Sequence, residues 1–219
     1  MNSVPTIPKD YILRLQQVVD ESWRIFQSQF LHGRHPVTTE APFQHHFANV
    51  LSSVGALYCT SREDIFHVDL ETKVPDVKGK NKYLDITCSF PLENVSCAIE
   101  LKFKTAKQGA QDHGRIDAYV DIEALELVTN SGFDFGRFFM ITNSKTYLHV
   151  STMGVGTVFC LHDGYTIPAN EEFNYPTCHG REHVVTTFKQ SHTLSWQQAA
   201  EWYFLAVNIG DNPSFGATE

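Results

Sequence analysis

Several common signatures are missing from this 219-residue chain. No apolar run reaches the roughly 20 residues that span a bilayer, and the N-terminal MNSVPTIPKD lacks the basic region and apolar stretch of a signal peptide. The five cysteines form no CxxC pair, which argues against a disulfide framework and for a reducing cytoplasm. Neither GxxxxGK[ST] nor GxGxxG occurs, so nucleotide-driven chemistry has no support.

The composition is that of an ordinary globular protein, with 42% hydrophobic and 19% charged residues, and we expect one domain over residues 1–219. The net charge of −8 does not favour a nucleic-acid binder, for which a basic surface is expected. The distribution of charge along the chain weakens this argument against nucleic-acid binding. Residues 73–107 carry seven lysines against four acids, a local balance of +3 that leaves −11 for the rest.

The stretch KYLDITCSFPLENVSCAIELKFK, residues 82–104, predicts a β-hairpin. Its turn is Pro91-Leu92-Glu93-Asn94. The two arms carry alternating apolar residues: Leu84, Ile86, Cys88 and Phe90, then Val95, Cys97, Ile99, Leu101 and Phe103. A turn closed at its centre pairs residues whose numbers sum to 185, so the two cysteines face each other as free, buried thiols.

The same register places charged residues on the opposite face of the hairpin. Asp85 would lie opposite Glu100, and Tyr83 opposite Lys102. Such a face is often simply solvated. Two acids directly opposite each other are destabilising unless a cation lies between them, however. The arm from Val95 to Lys104 also has the apolar character of an interior strand. Asp85, Glu100 and Lys102 therefore indicate a metal site with a cation beside it.

Asp85, fourteen intervening residues and then Glu100-Leu101-Lys102 on a hairpin resembles the PD-(D/E)xK nucleases. The resemblance implies an α/β, restriction-endonuclease-like fold with a central mixed β-sheet flanked by helices. It also implies that Asp85 and Glu100 hold Mg²⁺, with Mn²⁺ able to substitute, and that Lys102 orients the attacking water or stabilises charge on phosphate. The chain departs from the family in lacking a proline before Asp85. A literal Pro75-Asp76 lies nine residues earlier, which keeps Asp76 as the reserve ligand.

Many members of that superfamily carry a glutamate on a helix before the sheet, and the resemblance makes Glu40 a third metal ligand. An acid at a helix N-terminus is also favoured by the helix dipole alone. The residues expected to contact nucleic acid are the lysines and polar side chains near the site: Lys78, Lys80, Lys104, Lys107, Gln108, Gln111 and Arg115. Asp117 and Asp121 are interpreted as the solvated face of a helix.

Periodicity predicts the elements around the hairpin. Helices are expected over residues 7–31, from 39 to about 54, from about 112 to 128 and over 195–208. Strands are expected at residues 66–70 and 137–143, with two more between 145 and 161. A zinc site made of His162, Cys178, His179 and His183 is an alternative, but its spacing matches no recurring finger.

The resulting hypothesis is a Mg²⁺-dependent endodeoxyribonuclease that cuts double-stranded DNA, most simply as a homodimer. A type II restriction enzyme is one member of that class, and a phage, repair or transposition nuclease is another. Two alternatives stay open. One is a non-catalytic DNA-binding or interaction protein that keeps the fold, and the other is an unrelated α+β enzyme.

Overall fold

The computed structural model describes residues 6–210, which contain three helices and ten strands. In chain order they are α1 (Tyr11–Leu31), α2 (Glu40–Leu57), β1 (His67–Val77), β2 (Lys80–Phe90), β3 (Val95–Lys104), α3 (Gln111–Thr129), β4 (Phe135–Thr142), β5 (Thr166–Ile167), β6 (Glu172–Asn174), β7 (Val185–Thr187), β8 (His192–Thr193), β9 (Trp196–Ala199) and β10 (Trp202–Ile209). None of the helices is long and apolar enough to cross a membrane.

Six strands form a mixed sheet in the order β1-β2-β3-β4-β10-β9. The β3–β4 pair is parallel and the other four pairs are antiparallel. Helix α3 makes the crossover from β3 to β4, because parallel neighbours cannot be joined by a tight turn. This arrangement confirms the α/β class and the mixed central sheet.

Apolar side chains on the two faces of the sheet enter two separate cores. Phe139 of β4 joins the core beneath α1 and α2, where its ring stacks on Trp23 with centroids 4.4 Å apart. The adjacent Phe138 points the other way, into a core with Tyr119 of α3 and Phe159. Alternation along a strand thus distributes consecutive aromatic residues between layers. Helices lie on both sides of the sheet, as expected.

The hairpin register is confirmed. Cys88 pairs with Cys97 and Ile86 with Ile99, and both cysteines are free and buried. Residues Pro91–Glu93 form a single 3-10 turn, and Asn94 closes it with φ 54°, a left-handed conformation that asparagine tolerates better than most residues.

The helix predicted at residues 195–208 is wrong, because this segment forms the β9–β10 hairpin. β10 lies between β4 and β9, and its run from Tyr203 to Leu205 is buried on both faces, whereas Ala206 and Asn208 are exposed. A run with two buried faces has no alternation to distinguish it from a buried helix. The two strands predicted between residues 145 and 161 are also wrong. That region contains 3-10 turns at Lys145–Tyr147 and Val155–Thr157.

Candidate active site

The β2–β3 ladder ends where the charged residues begin. Its last pair is Ile86 with Ile99, so Asp85 and Glu100 are the next residues on each strand. The Asp85 carboxylate accepts the backbone N–H of Leu101 at 2.7 Å. A side-chain oxygen therefore takes a main-chain donor of β3, which fixes Asp85 beside Glu100 even though the strands no longer form a regular ladder.

Side-chain alternation in β2 breaks at Asp85. Ile86 packs in the core beneath α1 and α2, whereas Leu84 packs on the α3 side. The prediction that these two residues share a face is therefore wrong. Glu71 of β1 lies across from the break, between the pairs Leu70–Ile86 and Thr72–Leu84, and has φ 52°. The change of face between Ile86 and Leu84 and the positive φ of Glu71 thus occur at the same level of the β1–β2 pair.

Gln44 of α2 forms hydrogen bonds to both strands at this irregularity. Its Nε2 donates to the main-chain oxygen of Asp85 at 2.5 Å and to the carboxylate of Glu71 at 2.9 Å. One amide thus connects α2, β1 and β2 at the residue that departs from the strand pattern. No sequence motif indicated Gln44, because its partners lie 27 and 41 residues further along the chain.

Glu100 is 2% exposed and lies 2.9 Å from the ammonium group of Lys82. Burial raises the pKa of Glu100 well above its usual value, and the neighbouring carboxylates of Asp121 and Asp85 add to the effect. The pull of Lys82 in the opposite direction is smaller than these contributions together. Burial likewise raises the pKa of Asp85, against the hydrogen bond from Leu101. A cation close to Asp85 and Glu100 would therefore lower the pKa of both acids and stabilise their ionised forms.

Asp121 of α3 completes the cluster. It is buried, and its two oxygens contact Lys82 at 2.9 Å and Lys102 at 2.5 Å. The interpretation of Asp121 as part of a solvated face is wrong, because α3 turns this side chain toward the sheet. Asp117, one turn earlier, pairs instead with Arg181 at 2.8 Å and is partly exposed.

The structure thus brings Asp85, Glu100 and Lys102 together as predicted and adds two residues that sequence reasoning missed. Lys82 escaped notice because the break at Asp85 reverses the face on which it lies. Asp121 is 21 residues from Glu100 on another element, so strand alternation says nothing of it.

Glu40, at the first turn of α2, lies at the same end of β3. Its Oε1 is 3.3 Å from the Lys104 ammonium and 3.4 Å from the backbone N of Phe103. Its charge also acts on Lys102, whose pKa it helps to raise. The role of Glu40 as a third metal ligand stays a prediction.

Within residues 6–210, no group of three or more His, Cys, Asp or Glu side chains is arranged to hold a metal ion. The alternative zinc site at His162, Cys178, His179 and His183 is therefore not assembled in this part of the chain. Mg²⁺ has a smaller requirement, because it is commonly bound through one or two carboxylates, with water and substrate phosphate supplying the other ligands.

The cluster fits that smaller requirement. Oε1 of Glu100 is buried and paired with the Lys82 ammonium group at 2.9 Å, so a metal at this oxygen would replace that contact. When all are ionised, the carboxylates of Asp85, Glu100 and Asp121 and the ammonium groups of Lys82 and Lys102 carry a net charge of −1. A divalent cation beside Asp85 and Glu100 is thus favoured electrostatically.

Two of the residues predicted to contact nucleic acid have other roles. Arg115 is 2% exposed and donates to the main-chain oxygens of Phe159 and Thr146, so it cannot reach a phosphate at the surface. The ammonium group of Lys78 is 2.9 Å from both carboxylate oxygens of Glu123 and from the main-chain oxygen of Val185. The Lys78 side chain is 51% exposed, so its contact with nucleic acid stays a prediction.

The remaining predicted contacts lie at the surface or are partly exposed. Lys80 and Lys107 are exposed, and Lys104 is the partner of Glu40. Gln108 accepts the backbone N–H of Thr105 at 2.8 Å, which shapes the loop after β3, and Gln111 begins α3. The reserve ligand Asp76 is exposed near the end of β1, at the register shift between Val74 and Val77, and has φ 57°.

A scan against protein-family models found no match to this chain, and searches of curated proteins and of solved structures found none either.

Proposed function

We propose that this protein is a Mg²⁺-dependent endonuclease that hydrolyses phosphodiester bonds in double-stranded DNA. The observation that carries the proposal is the convergence of Asp85, Glu100 and Lys102 where the β2–β3 ladder ends. Two raised carboxylate pKa values and a buried lysine in one place are typical of a catalytic centre and unusual for a solvated strand face.

The order of elements supports a restriction-endonuclease-like core. A helix that carries Glu40 is followed by three antiparallel strands, a crossover helix and a strand parallel to β3. This is the sequence of elements that the resemblance to PD-(D/E)xK nucleases predicts around the Asp85, Glu100 and Lys102 positions.

In this proposal Asp85 and Glu100 would hold the metal, which when bound supplies Lewis-acid stabilisation and a water of lowered pKa. Lys102 would stabilise the negative charge that develops on the phosphate. Burial opposes its protonation, but Asp121, Glu40 and Glu100 outweigh burial and raise the pKa of Lys102 above its usual value. Lys102 thus stays protonated at neutral pH and acts as a hydrogen-bond donor and positive charge, not as a base.

Double-stranded DNA as substrate follows from the resemblance, and a homodimer is the simplest way for a chain of this size to cut both strands. The exposed lysines 80 and 107 supply positive charge near the end of the hairpin. A restriction enzyme and a phage, repair or transposition nuclease are all compatible with this chemistry.

One observation favours a non-catalytic protein with the same fold. Lys82 already pairs with Glu100, and Lys102 with Asp121, so much of the buried charge is balanced within the chain. The overall charge of −8 points the same way. Such a protein would bind DNA or another partner without cutting it.

Cleavage of supercoiled plasmid with Mg²⁺ or Mn²⁺, and with EDTA as a control, tests the proposal. Asp85→Asn and Glu100→Gln should each lower the rate by at least ~10³, about 4 kcal/mol of transition-state stabilisation. Asp76→Asn decides between the two aspartates, and we expect it to retain activity. Loss of cleavage in Asp76→Asn but not in Asp85→Asn would move the site to Asp76. Wild-type protein that binds DNA but never cuts it would favour the non-catalytic alternative.

A further inference from the structure

Asp121 occupies the centre of the lysine contacts in the candidate site. Its Oδ1 accepts a hydrogen bond from Lys82 at 2.9 Å, and its Oδ2 lies 2.5 Å from the Lys102 ammonium group. One buried carboxylate from α3 therefore engages both lysines that β2 and β3 bring to the site. The proposed metal ligands Asp85 and Glu100 come from the sheet, and Glu100 shares the Lys82 ammonium group with Asp121.

Lys82 is divided between two carboxylates. Its ammonium nitrogen is 2.9 Å from Oε1 of Glu100 and 2.9 Å from Oδ1 of Asp121. A cation in contact with Glu100 competes with any metal for the same oxygen, because both are attracted by the same charge. The more strongly Asp121 holds the Lys82 ammonium group, the less strongly Lys82 competes with a metal at Glu100.

We propose that Asp121 is a positioning residue that draws the Lys82 and Lys102 ammonium groups onto α3 and so leaves Asp85 and Glu100 able to bind a divalent cation. This inference depends on the proposed metal site. It assigns a role in metal affinity to a residue that contacts neither the metal nor the substrate.

The charge balance explains why Asp121 matters. With Asp121 ionised, and with Asp85 and Glu100 deprotonated as metal binding requires, three carboxylates face two ammonium groups, and the excess negative charge favours a divalent cation. Without that charge, two lysines face only Asp85 and Glu100, and their ion pairs would satisfy both acids. Asp121 does ionise: burial opposes its charge, but Lys102 and Lys82 outweigh burial and lower its pKa.

The helix offers a matched control. Asp117 lies one turn before Asp121 on α3 and also forms an ion pair, with Arg181 at the surface. Asp117→Asn therefore removes the same charge from the same helix without touching the site.

Calorimetric titration of the full chain with Mn²⁺, without substrate, tests the inference. Asp121→Asn should weaken Mn²⁺ binding by roughly 10-fold, the lower end of the effect of removing a residue that orients metal ligands. Asp117→Asn should bind as the wild type does. The double variant Lys82→Met/Asp121→Asn should regain most of the lost affinity, because the competing ammonium group is gone.

The single variant Lys82→Met tests the inference even if Asp121→Asn does not fold, because methionine is unbranched and only one atom shorter than lysine. It should bind Mn²⁺ more tightly than the wild type. With a wild type that binds Mn²⁺, unchanged affinity in Asp121→Asn overturns this inference alone, and so does unchanged affinity in Lys82→Met if Asp121→Asn does not fold. A wild type that binds no Mn²⁺ overturns the metal site itself, and the role of Asp121 with it.

Discussion

The carboxylate of Asp85 accepts the backbone N–H of Leu101, the residue that separates Glu100 from Lys102. This contact joins the two strands at the point where their regular pairing ends. The three residues of the proposed site are consequently positioned by β2 and β3 themselves and not by a mobile loop. Sites on strands are held more accurately than sites on loops, as proximity effects in catalysis require.

Replacement of Lys102 separates charge stabilisation from metal binding. Lys102→Met should lower the rate of cleavage by at least ~10²-fold while Mn²⁺ still binds, because its charge is needed where negative charge develops on the phosphate. Lys102→Arg should restore little activity, since a planar guanidinium cannot replace a compact ammonium in this buried position. Single-turnover cleavage and calorimetry measure the two quantities. Weakened metal binding with an unchanged single-turnover rate would contradict this role.

We expect Glu100 to destabilise the folded state of the metal-free protein. Its raised pKa means that the folded state favours the protonated form, so its contribution to stability is greatest at low pH and is lost as pH rises through the folded-state pKa. Glu100→Gln should therefore raise the free energy of unfolding at pH 7 by about 1 kcal/mol, or roughly 2–4 °C in thermal midpoint. Thermal melts without metal measure the effect.

Glu126 is the matched control for that change. It is also almost fully buried, but it accepts bonds from His192 and from the backbone N–H groups of Lys189 and Gln190, which overcome burial and lower its pKa. Its contribution to stability is present above the usual glutamate pKa and is lost as pH falls through the folded value. Glu126→Gln should lower the free energy of unfolding by roughly 1–3 kcal/mol. If Glu100→Gln and Glu126→Gln change the free energy of unfolding in the same direction, the destabilising role assigned to Glu100 is wrong.

Gln44 should matter to activity more than to stability. Gln44→Ala removes the donor that holds the main chain of Asp85 and the side chain of Glu71, so Asp85 loses part of its fixed position. We expect roughly a 10-fold loss in cleavage rate, as for other residues that orient a ligand. Asn49→Ala, on the same helix and with a side chain that contacts exposed His45, should have little effect. Equal rates for these two variants would show that the irregularity at Asp85 needs no support from α2.

Two exposed lysines of the predicted set allow a specific prediction of how DNA binding depends on salt. Lys80→Ala and Lys107→Ala should each flatten the slope of log affinity for DNA against log salt by about one unit. A variant with one phosphate contact fewer releases fewer counterions when it binds DNA. Lys189→Ala should leave the slope unchanged, since this exposed lysine lies beside Glu126 near the other end of α3. Fluorescence anisotropy with Ca²⁺ in place of Mg²⁺ measures the slopes. If the slope changes only in Lys189→Ala, DNA binds elsewhere.

The local sequence predicted the hairpin because everything that fixes it lies within 23 residues. The turn at 91–94 and the alternating apolar residues set the pairing of Cys88 with Cys97, and that pairing brings Asp85 near Glu100. Helices α1 and α2 were predictable for the same reason, because each shows one apolar face at helical spacing.

Only the tertiary structure decided how the site is completed. Lys82 reaches Asp121 and Glu100 because alternation in β2 breaks at Asp85, and Asp121 reaches both lysines because α3 packs that turn against the sheet. Residues 202–209 form a strand because β4 and β9 pair with it on either side. In each case the deciding contact joins segments distant in the chain. Ion pairs between distant segments and strand pairing at both edges leave no local period in the sequence, so neither could be deduced before the elements were assembled.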